Sequence, residues 1–390
     1  MNRAFKKKGI YKRQVKIIKP KKVTALHHAA ECGDLNKIMQ LLCRGVDINA
    51  QDRFGDTALH ETVEYGDFEC VQLLVREGAD VNKKRKDGAT ALHLAASLGL
   101  QDFVTFLFEN GADVNAKADG DLTPMHFAAS KSQPQMIRLL FTYGAIVNAV
   151  SVTGRTALHI AVSKSDDCIN VLADIGANIF VKDVLGISPL EVAIELDVFK
   201  TLLPQNFNFC SADGTTPVHI ASQCMNHLCL EYMIDKGCDV NIENKSGDTP
   251  LHFACLSGNC YNHIMQHPFQ RTQSPNIELL IKAGADKQKK NKMGLAPVHV
   301  CAKNGSLLSL DCLEKFGCDM NLRGGDKNST PLHFAAESGH LDCIEFLIRN
   351  GVDKEVIDSE NCTALMLAAK NCHFECVKFL LERGVPLWTI

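Results

Sequence analysis

The spacing of apolar and polar positions changes twice within residues 56–88, DTALHETVEYGDFECVQLLVREGADVNKKRKDG. A first stretch with helical spacing stops at Gly66. In the second stretch, Val71 and Leu74 belong to an apolar stripe with the three- and four-residue spacing of a buried helix face. Gly78 then ends this helix, because glycine favours the left-handed position after a helix. The pattern predicts two short helices followed by an extended finger with a turn at "KDG".

The same pattern recurs along nearly the whole chain. A TALH or TPMH segment begins each of the first five units, and the four intervals between them are all 33 residues. A helix pair of this size has one apolar stripe that it cannot bury alone, so neighbouring units must stack on one another. Residues 23–390 are therefore predicted to form eleven stacked units. They begin near Thr24, Thr57, Thr90, Thr123, Thr156, Ser188, Thr216, Thr249, Ala296, Thr330 and Thr363.

The recurring TxLH segment, the helix-ending glycine and the "GADVN" segment together resemble the ankyrin repeat. Variants such as "GVDIN", "GAIVN" and "GCDVN" occur at the expected offset. The resemblance implies an all-α fold, an ankyrin-repeat α-solenoid in which each repeat is a helix–turn–helix plus a β-hairpin finger. It covers residues 23–390 and leaves a basic tail at residues 1–22. In this family, partners typically bind along the concave face made by fingers and inner helices.

Two units depart from the period, and the first of them is short. This sixth unit, residues 188–215, has 28 residues and carries Glu191 where most units have histidine. Three interpretations stay open. The unit is a degenerate repeat that still stacks, a hinge between stacks at 23–187 and 216–390, or a direct contact site.

The eighth unit is too long by 14 residues, and the excess lies between its two helices at residues 259–275. This insertion contains prolines, which oppose continuous helix. Its side chains include His263, Phe269 and Arg271. Loops on rigid scaffolds often carry function, but protein surfaces also tolerate insertions. We interpret the segment either as a neutral insertion or as a partner contact.

Nine of the 15 histidines occupy the TxLH position, at most one in each unit. Packed helix layers are about 10 Å apart, whereas a zinc ligand lies about 2 Å from its metal, so neighbouring histidines cannot share one ion. The ankyrin resemblance implies a structural role, with hydrogen bonds to backbone and to the Thr at the helix start. The nine are His27, His60, His93, His126, His159, His219, His252, His299 and His333.

The net charge of −3 hides an asymmetric distribution. Residues 1–22 contain ten basic residues and no acidic one, so the remainder carries −13. We interpret this tail as a solubilising leader, a nuclear import signal or a segment that binds anionic lipid. The 17 cysteines are odd in number and scattered, which favours free thiols in a reducing compartment. Since no apolar run follows the basic tail, the sequence predicts a cytoplasmic or nuclear protein.

Sequence motifs for catalysis or metal binding are missing. No GxSxG, P-loop or HExxH segment occurs, and no CxxC pair. His340–Cys343 and His373–Cys376 share an HxxC spacing, but each Cys falls beside the buried stripe and is expected to pack as a small apolar side chain. The sequence therefore predicts a protein without enzymatic activity, catalytic residues, metal or cofactor, and keeps an enzyme only as a rival hypothesis.

Two finger tips are strongly basic, whereas other tips are mixed or neutral. Each basic tip is either a solvated turn or a contact to an acidic protein, to nucleic acid or to phosphoinositide. Neither tip has the interleaved aromatic residues expected for single-stranded nucleic acid. The candidates for partner binding are Lys83, Lys84, Arg85 and Lys86 in one tip, Lys287, Lys289, Lys290 and Lys292 in the other, and His28 at a variable position of the first inner helix.

The function that the sequence predicts is a protein–protein interaction scaffold or adaptor that binds its partner on the concave surface of fingers and inner helices. It predicts no specific nucleic acid and no obligate oligomer, with membrane contact only through the basic tail. One alternative is the ankyrin portion of a larger protein, such as a channel, a ubiquitin-ligase adaptor or a kinase. The other alternative is an inhibitor of a nuclear factor.

Overall fold

Short helices alternate with turns throughout the computed structural model, which describes residues 24–203, 209–224, 226–256 and 275–385. The chain divides into two compact units, one ending at Val152 and the other beginning at Thr153. Both units consist of inner helices, which begin at the TxLH segment, and outer helices, which follow them.

Four helix pairs make up the first unit. Each inner helix begins after a threonine in extended conformation, and α1 and α3 end at a left-handed glycine, such as Gly66 with φ of 74°. In chain order the helices are α1 (Ala25–Cys32), α2 (Leu35–Cys43), α3 (Ala58–Tyr65), α4 (Phe68–Arg76), α5 (Ala91–Leu98), α6 (Gln101–Glu109), α7 (Pro124–Ser130) and α8 (Pro134–Thr142).

The second unit continues the same alternation. Many of its inner helices begin with proline, which suits the first helical position because the N–H it lacks would have no partner there. The helices are α9 (Ala157–Val162), α10 (Asp166–Asp174), α11 (Pro189–Glu195), α12 (Phe199–Leu202), α13 (Pro217–Gln223), α14 (His227–Asp235), α15 (Pro250–Ala254), α16 (Pro275–Lys282), α17 (Pro297–Asn304), α18 (Leu307–Lys315), α19 (Pro331–Ser338), α20 (Leu341–Arg349), α21 (Ala364–Lys370) and α22 (Phe374–Glu382).

Stacking of neighbouring pairs builds the core of each unit. In the first unit, α3 packs between α1 and α5, and α4 packs between α2 and α6. Leu59 and Leu92 of the inner helices and Val71 and Leu74 of α4 are at most 1% exposed. Burying a side chain of this size contributes about 2 kcal/mol, so each helix pair gains its stability from both neighbours.

The fingers differ in one respect from the β-hairpins that the family resemblance implies. Most are turns with two backbone hydrogen bonds each, such as Asp52 N–H to Asp56 O at 2.9 Å and Gly55 N–H to Asp52 O at 3.1 Å in the first finger. Among the described residues, the β-type pairing is a single bridge between Gly324 and Ser329. A side chain replaces the strand pairing in the first finger, where Asp52 Oδ1 accepts from the N–H groups of Phe54 and Asp56.

The short sixth repeat, residues 188–215, lies inside the second unit and stacks on both neighbours. Helix α11 contacts α9 and α13, and α12 packs against α10. Asn226 donates from Nδ2 to Ile194 O at 2.7 Å, which joins α11 to the turn before α14. Glu191 replaces the usual histidine in the cap, where its Oε2 accepts from Ser188 N–H at 2.6 Å. A hinge at this repeat stays a prediction.

Several sequence-based expectations fall outside the described residues. These include the basic tail at residues 1–22 and nearly all of the insertion at 259–275, whose last residue, Pro275, begins α16. His263, Phe269 and Arg271 therefore stay candidates on the sequence alone.

Gly55 is the point of closest approach between the first two fingers. It has φ of +84°, and a Cβ there would lie 2.6 Å from Lys86 N, whereas Gly78, with φ of +93°, has nothing within 4 Å of such a Cβ. We expect Gly55→Ala to lower the free energy of unfolding by about 3 kcal/mol and Gly78→Ala by about 1 kcal/mol, because only the first adds a clash to the cost of left-handed backbone. Urea unfolding measures both. Equal losses would contradict the close approach.

Candidate functional site

The TxLH histidines lie buried between each inner helix and the finger that follows. In the third repeat, Thr90 N–H donates to His93 Nδ1 at 3.1 Å, and His93 Nε2 donates to Leu122 O at 3.1 Å. These contacts assign the Nε2–H tautomer, because Nδ1 must accept. Nε2 makes the corresponding contact to a carbonyl 23 to 43 residues later from His27, His159, His219, His252, His299 and His333. His60 and His126 accept from the cap N–H in the same way.

Burial favours the neutral form of seven of these histidines by lowering their pKa. It lowers the pKa of His60, His93 and His299 from 6.5 to about 4. It also lowers the pKa of His159, His219, His252 and His333, in each case against the raising effect of a hydrogen-bonded carbonyl. A proton added at Nδ1 would remove the acceptor of the cap, so the neutral ring is part of the framework.

A second framework element, not found from the sequence, is a ladder of finger asparagines. Asn82 Oδ1 accepts from Asp113 N–H at 2.8 Å, and its Nδ2 donates to Gly111 O at 2.8 Å. Asn115 and Asn241 make the same pair of contacts to their next fingers. The sequence feature that could have predicted this ladder is the Asn that recurs as the last residue of "GADVN". Its amide fixes the spacing of fingers and leaves recognition to neighbouring side chains.

A third element links neighbouring fingers through side chains of differing chemistry. Asp56 Oδ1 lies 3.2 Å from Arg85 Nε, and the charges are exchanged in a later repeat, where Arg155 Nε lies 3.3 Å from Asp183 Oδ2. In another repeat an amide replaces the arginine, and Asn291 Nδ2 donates to Asp248 Oδ1 at 2.7 Å. Arg85 thus belongs to the framework, although the sequence places it among the candidates for partner binding.

The other basic side chains of the second finger lie in different environments. Lys84 and Lys86 are exposed, whereas Lys83 is half-buried. Lys84 Nζ donates to Lys117 O at 2.8 Å and remains at the surface. Lys84 and Lys86 therefore lie at the surface of the finger, whereas Arg85 Nε lies 3.2 Å from Asp56 Oδ1 and 3.4 Å from Asp87 Oδ1.

The lysines of the second basic finger also lie in different environments. Lys289 pairs with Glu243 at 2.7 Å, and Lys287 Nζ donates to Phe316 O at 2.6 Å. The contact to Glu243 raises the pKa of Lys289. Lys290 and Lys292 are exposed on the same finger. The four predicted lysines thus share a finger, with two of them directed to neighbouring repeats.

His28 is exposed on the first inner helix. Its Nδ1 lies 3.6 Å from Glu31 Oε2 and 3.9 Å from Cys32 Sγ. Glu31 in turn accepts from the Tyr65 hydroxyl at 2.9 Å. His28 is therefore at the surface, within a small polar cluster that spans the first two repeats.

The HxxC pairs are divided between two environments. His340 Nε2 donates to Lys303 O and His373 Nε2 donates to Glu337 O, both at 3.0 Å, which joins each to the preceding repeat. Cys343 is buried, and burial raises the pKa of its thiol to about 12. The expected packing role of this cysteine matches its position.

Two groups of side chains in the described residues have oxygen or sulfur atoms close enough to share a cation. Asp358, Glu360 and Cys362 form one at a finger tip. The other consists of the buried carboxylates of Asp52, Asp56 and Glu61, whose ligand atoms lie within 4.8 Å of one another. In this second group, the Asp56 carboxylate already lies 3.2 Å from Nε of Arg85.

Stacked helix pairs joined by hydrogen-bonded fingers define a repeat protein of the helix-pair class. The family model described as ankyrin repeats (3 copies) matches residues 26–118, 116–183, 190–291, 269–358 and 298–389. The chain belongs to the ankyrin repeat family.

Curated proteins similar to this chain have varied names. It is 25% identical over 190 residues to the transient receptor potential cation channel subfamily A member 1 of Homo sapiens, covering 45% of this chain and 16% of that protein. It is 30% identical to the human SH3 and multiple ankyrin repeat domains protein 2 over 44% of this chain and 9% of that protein. It is 27% identical to the human NF-kappa-B inhibitor zeta over 35% of this chain and 17% of that protein. The matches thus span less than a fifth of each relative.

In the part of the chain that the structure describes, every helix is too short or too polar to cross a membrane.

Proposed function

We propose that the chain is a non-enzymatic scaffold or adaptor that binds a partner protein on the surface of its fingers and inner helices. Ankyrin repeats are modules of protein–protein interaction, and the family is generally non-enzymatic. The observation that carries the proposal is the separation of roles within each finger. Buried His side chains and the hydrogen-bonded finger Asn side chains fix the backbone, whereas the exposed tips differ from repeat to repeat. A surface fixed in this way loses little conformational entropy on binding.

The buried chemistry supports binding over catalysis. His93 already uses both ring nitrogens in the framework, where they contact Thr90 and Leu122, and His159, His219, His252 and His333 do the same. The Cys70 thiol has a pKa raised to about 12 by burial, which disfavours the nucleophilic thiolate. These groups stabilise the repeats.

The proposed partner contacts follow from exposure. Lys84 and Lys86 supply positive charge in the first unit, and Lys290 and Lys292 supply it in the second. His28 lies on the inner-helix surface of the first unit. We place the protein in the cytoplasm or nucleus and propose no obligate oligomer and no specific nucleic acid.

A second candidate is that the chain acts as the ankyrin portion of a larger protein or as an inhibitor of a nuclear factor. The observation in its favour is that several matched relatives are much longer, and include a cation channel and an NF-kappa-B inhibitor. Sequencing of the native transcript beyond the codon for Ile390 would distinguish a longer protein.

Affinity capture from the native cell tests the proposed function. We expect the chain to retain specific proteins that are lost from Lys84→Glu/Lys86→Glu, from Lys290→Glu/Lys292→Glu, or from both. Far-ultraviolet circular dichroism must show that both variants keep their helices. If each variant, as well as the wild type, retains every captured protein, the basic fingers are not the binding surface.

A further inference from the structure

Exposure alternates along the second finger. Asn82, Lys84 and Lys86 are exposed, whereas Lys83 and Arg85 between them are half-buried. Gly88 N–H donates to Arg85 O at 3.1 Å, so Lys86 lies in the turn of the finger and Lys84 lies just before it. Arg85 is turned to Asp56, and its side chain is 22% exposed. The run of four basic residues therefore presents two lysines, Lys84 and Lys86, on its open face.

An apolar ring lies beside these lysines. Phe54 is 42% exposed, and its carbonyl accepts from Lys86 N–H at 3.0 Å. Gln51 Nε2 donates to Lys84 O at 2.8 Å, so the first finger contacts the second along its length. The Arg53 guanidinium lies 4.3 Å from the centroid of the Phe54 ring. We call Phe54, Lys84 and Lys86 the tip patch.

We propose that the tip patch binds an extended acidic segment of a partner protein, with two carboxylates separated by one residue and an apolar side chain after them. In an extended peptide, side chains two residues apart lie about 7 Å apart on one face, so two such carboxylates can each reach one of two neighbouring exposed lysines. Lys84 Nζ uses one donor on Lys117 O and keeps two for a carboxylate. The apolar side chain packs on Phe54. This inference rests on the proposed function and names the partner chemistry at one of its surfaces.

The surroundings of the tip patch favour a short peptide over a continuous polyanion. Residues 24–152 carry a net charge of −6. On the side of the third finger, Asp119 N–H donates to Asp87 O at 2.8 Å, and both carboxylates are exposed. A nucleic acid or an anionic membrane that reached Lys84 and Lys86 would meet these acidic groups, whereas a segment with two carboxylates ends before them. Arg53 also lies over the ring on which a base would stack.

Fluorescence polarisation with labelled peptides tests the inference on the full chain. The probe is a fluorescein-labelled peptide in which two glutamates flank one serine and a leucine follows two residues later. A peptide of the same composition, with the glutamates adjacent and the leucine first, is the control. We expect saturable binding of the probe with a dissociation constant in the micromolar range, and binding of the rearranged peptide about tenfold weaker.

Charge reversal on the two faces of the finger supplies the matched comparison. We expect Lys84→Glu/Lys86→Glu to weaken probe binding more than about tenfold, since two attractive contacts become repulsive. Lys83→Glu, on the half-buried face, is expected to change it less than about threefold. Phe54→Ala should weaken binding of the probe, but not binding of the same peptide with alanine in place of leucine. Equal losses in Lys83→Glu and Lys86→Glu would overturn the site, because a diffuse field would then explain binding.

Other outcomes separate this inference from the proposed function. No saturable binding of the probe, or tighter binding of a single-stranded oligonucleotide or of phosphatidylserine vesicles at the same ionic strength, overturns the inference. The proposed function survives if the chain still captures a protein that Lys290→Glu/Lys292→Glu releases. If the wild-type chain captures no specific protein, the proposed function is wrong, whatever the peptide result.

Discussion

Lowering the pH from 7 to 4 is expected to remove most of the free energy of unfolding. His60, His93 and His299 have pKa values of about 4 in the folded chain against 6.5 as the ordinary value. A group whose folded pKa is depressed contributes stability above its unfolded pKa and loses it as the pH falls towards the folded pKa. Each of the three then loses about 2 kcal/mol by pH 5 and about 3 kcal/mol by pH 4. The combined loss from the three histidines is comparable with the whole free energy of unfolding of a typical native protein, ~5–15 kcal/mol.

The pH window identifies the histidines as the cause. Carboxylates such as Asp183, whose backbone hydrogen bonds and contact with Arg155 lower the pKa below 3.8, lose their contribution only under more acidic conditions. Urea unfolding at pH 7, 6, 5, 4 and 3, followed by circular dichroism, measures the free energy of unfolding as a function of pH. We expect His93→Gln to flatten the loss between pH 7 and 5 by about 2 kcal/mol. His28→Gln, at an exposed histidine, is the control and should keep the wild-type slope.

An unchanged slope in His93→Gln would contradict the role assigned to the buried rings. Helix and finger would then be joined mainly by apolar packing. A loss of stability confined to pH values below 4 would instead point to the carboxylates. The wild-type profile and the two variants thus assign the acid transition to one type of group.

The sequence predicted the elements that repeat, because each recurs with its spacing intact. The TxLH histidines and the glycines after helices, such as Gly66, appear at fixed positions in unit after unit. The two-helix unit follows from Gly66 together with the apolar stripe of Val71 and Leu74. The spacing along the chain is enough to predict these helix ends, because the groups that hydrogen-bond in a helix cap lie within a few residues of one another.

Contacts between fingers could not be predicted in the same way. Arg85 contacts Asp56, which lies 29 positions earlier in the chain. The run of basic residues around Arg85 does not show that this side chain is directed to the preceding finger and not to a partner. The contact between Lys289 and Glu243 spans the long eighth repeat, so the usual interval does not connect them. The basic fingers were therefore found correctly as basic segments, while the division of their lysines and arginine required side-chain positions.

The link between Asp56 and Arg85 is expected to have the largest single-residue effect in the first unit. Asp52, Asp56 and Glu61 are at most 8% exposed, and Arg85 is the cation at Asp56. Removing one partner from a buried ion pair costs about 3–5 kcal/mol, because the other charge is left in a poorly solvated place. We expect Arg85→Met to lower the free energy of unfolding by at least about 3 kcal/mol. The control Lys86→Met, at an exposed lysine of the same finger, should change it by less than about 0.5 kcal/mol.

The later repeat with exchanged charges supplies the rescue experiment. There Arg155 occupies the place before the capping threonine and Asp183 the place in the next finger, the reverse of Asp56 and Arg85. The double variant Asp56→Arg/Arg85→Asp is therefore expected to be more stable than either single variant and to recover about half of the Arg85→Asp loss, since Asp52 and Glu61 stay beside the guanidinium. Urea unfolding of the four proteins completes the cycle. Strictly additive losses would show that the two side chains do not interact, and the framework role of Arg85 would be wrong.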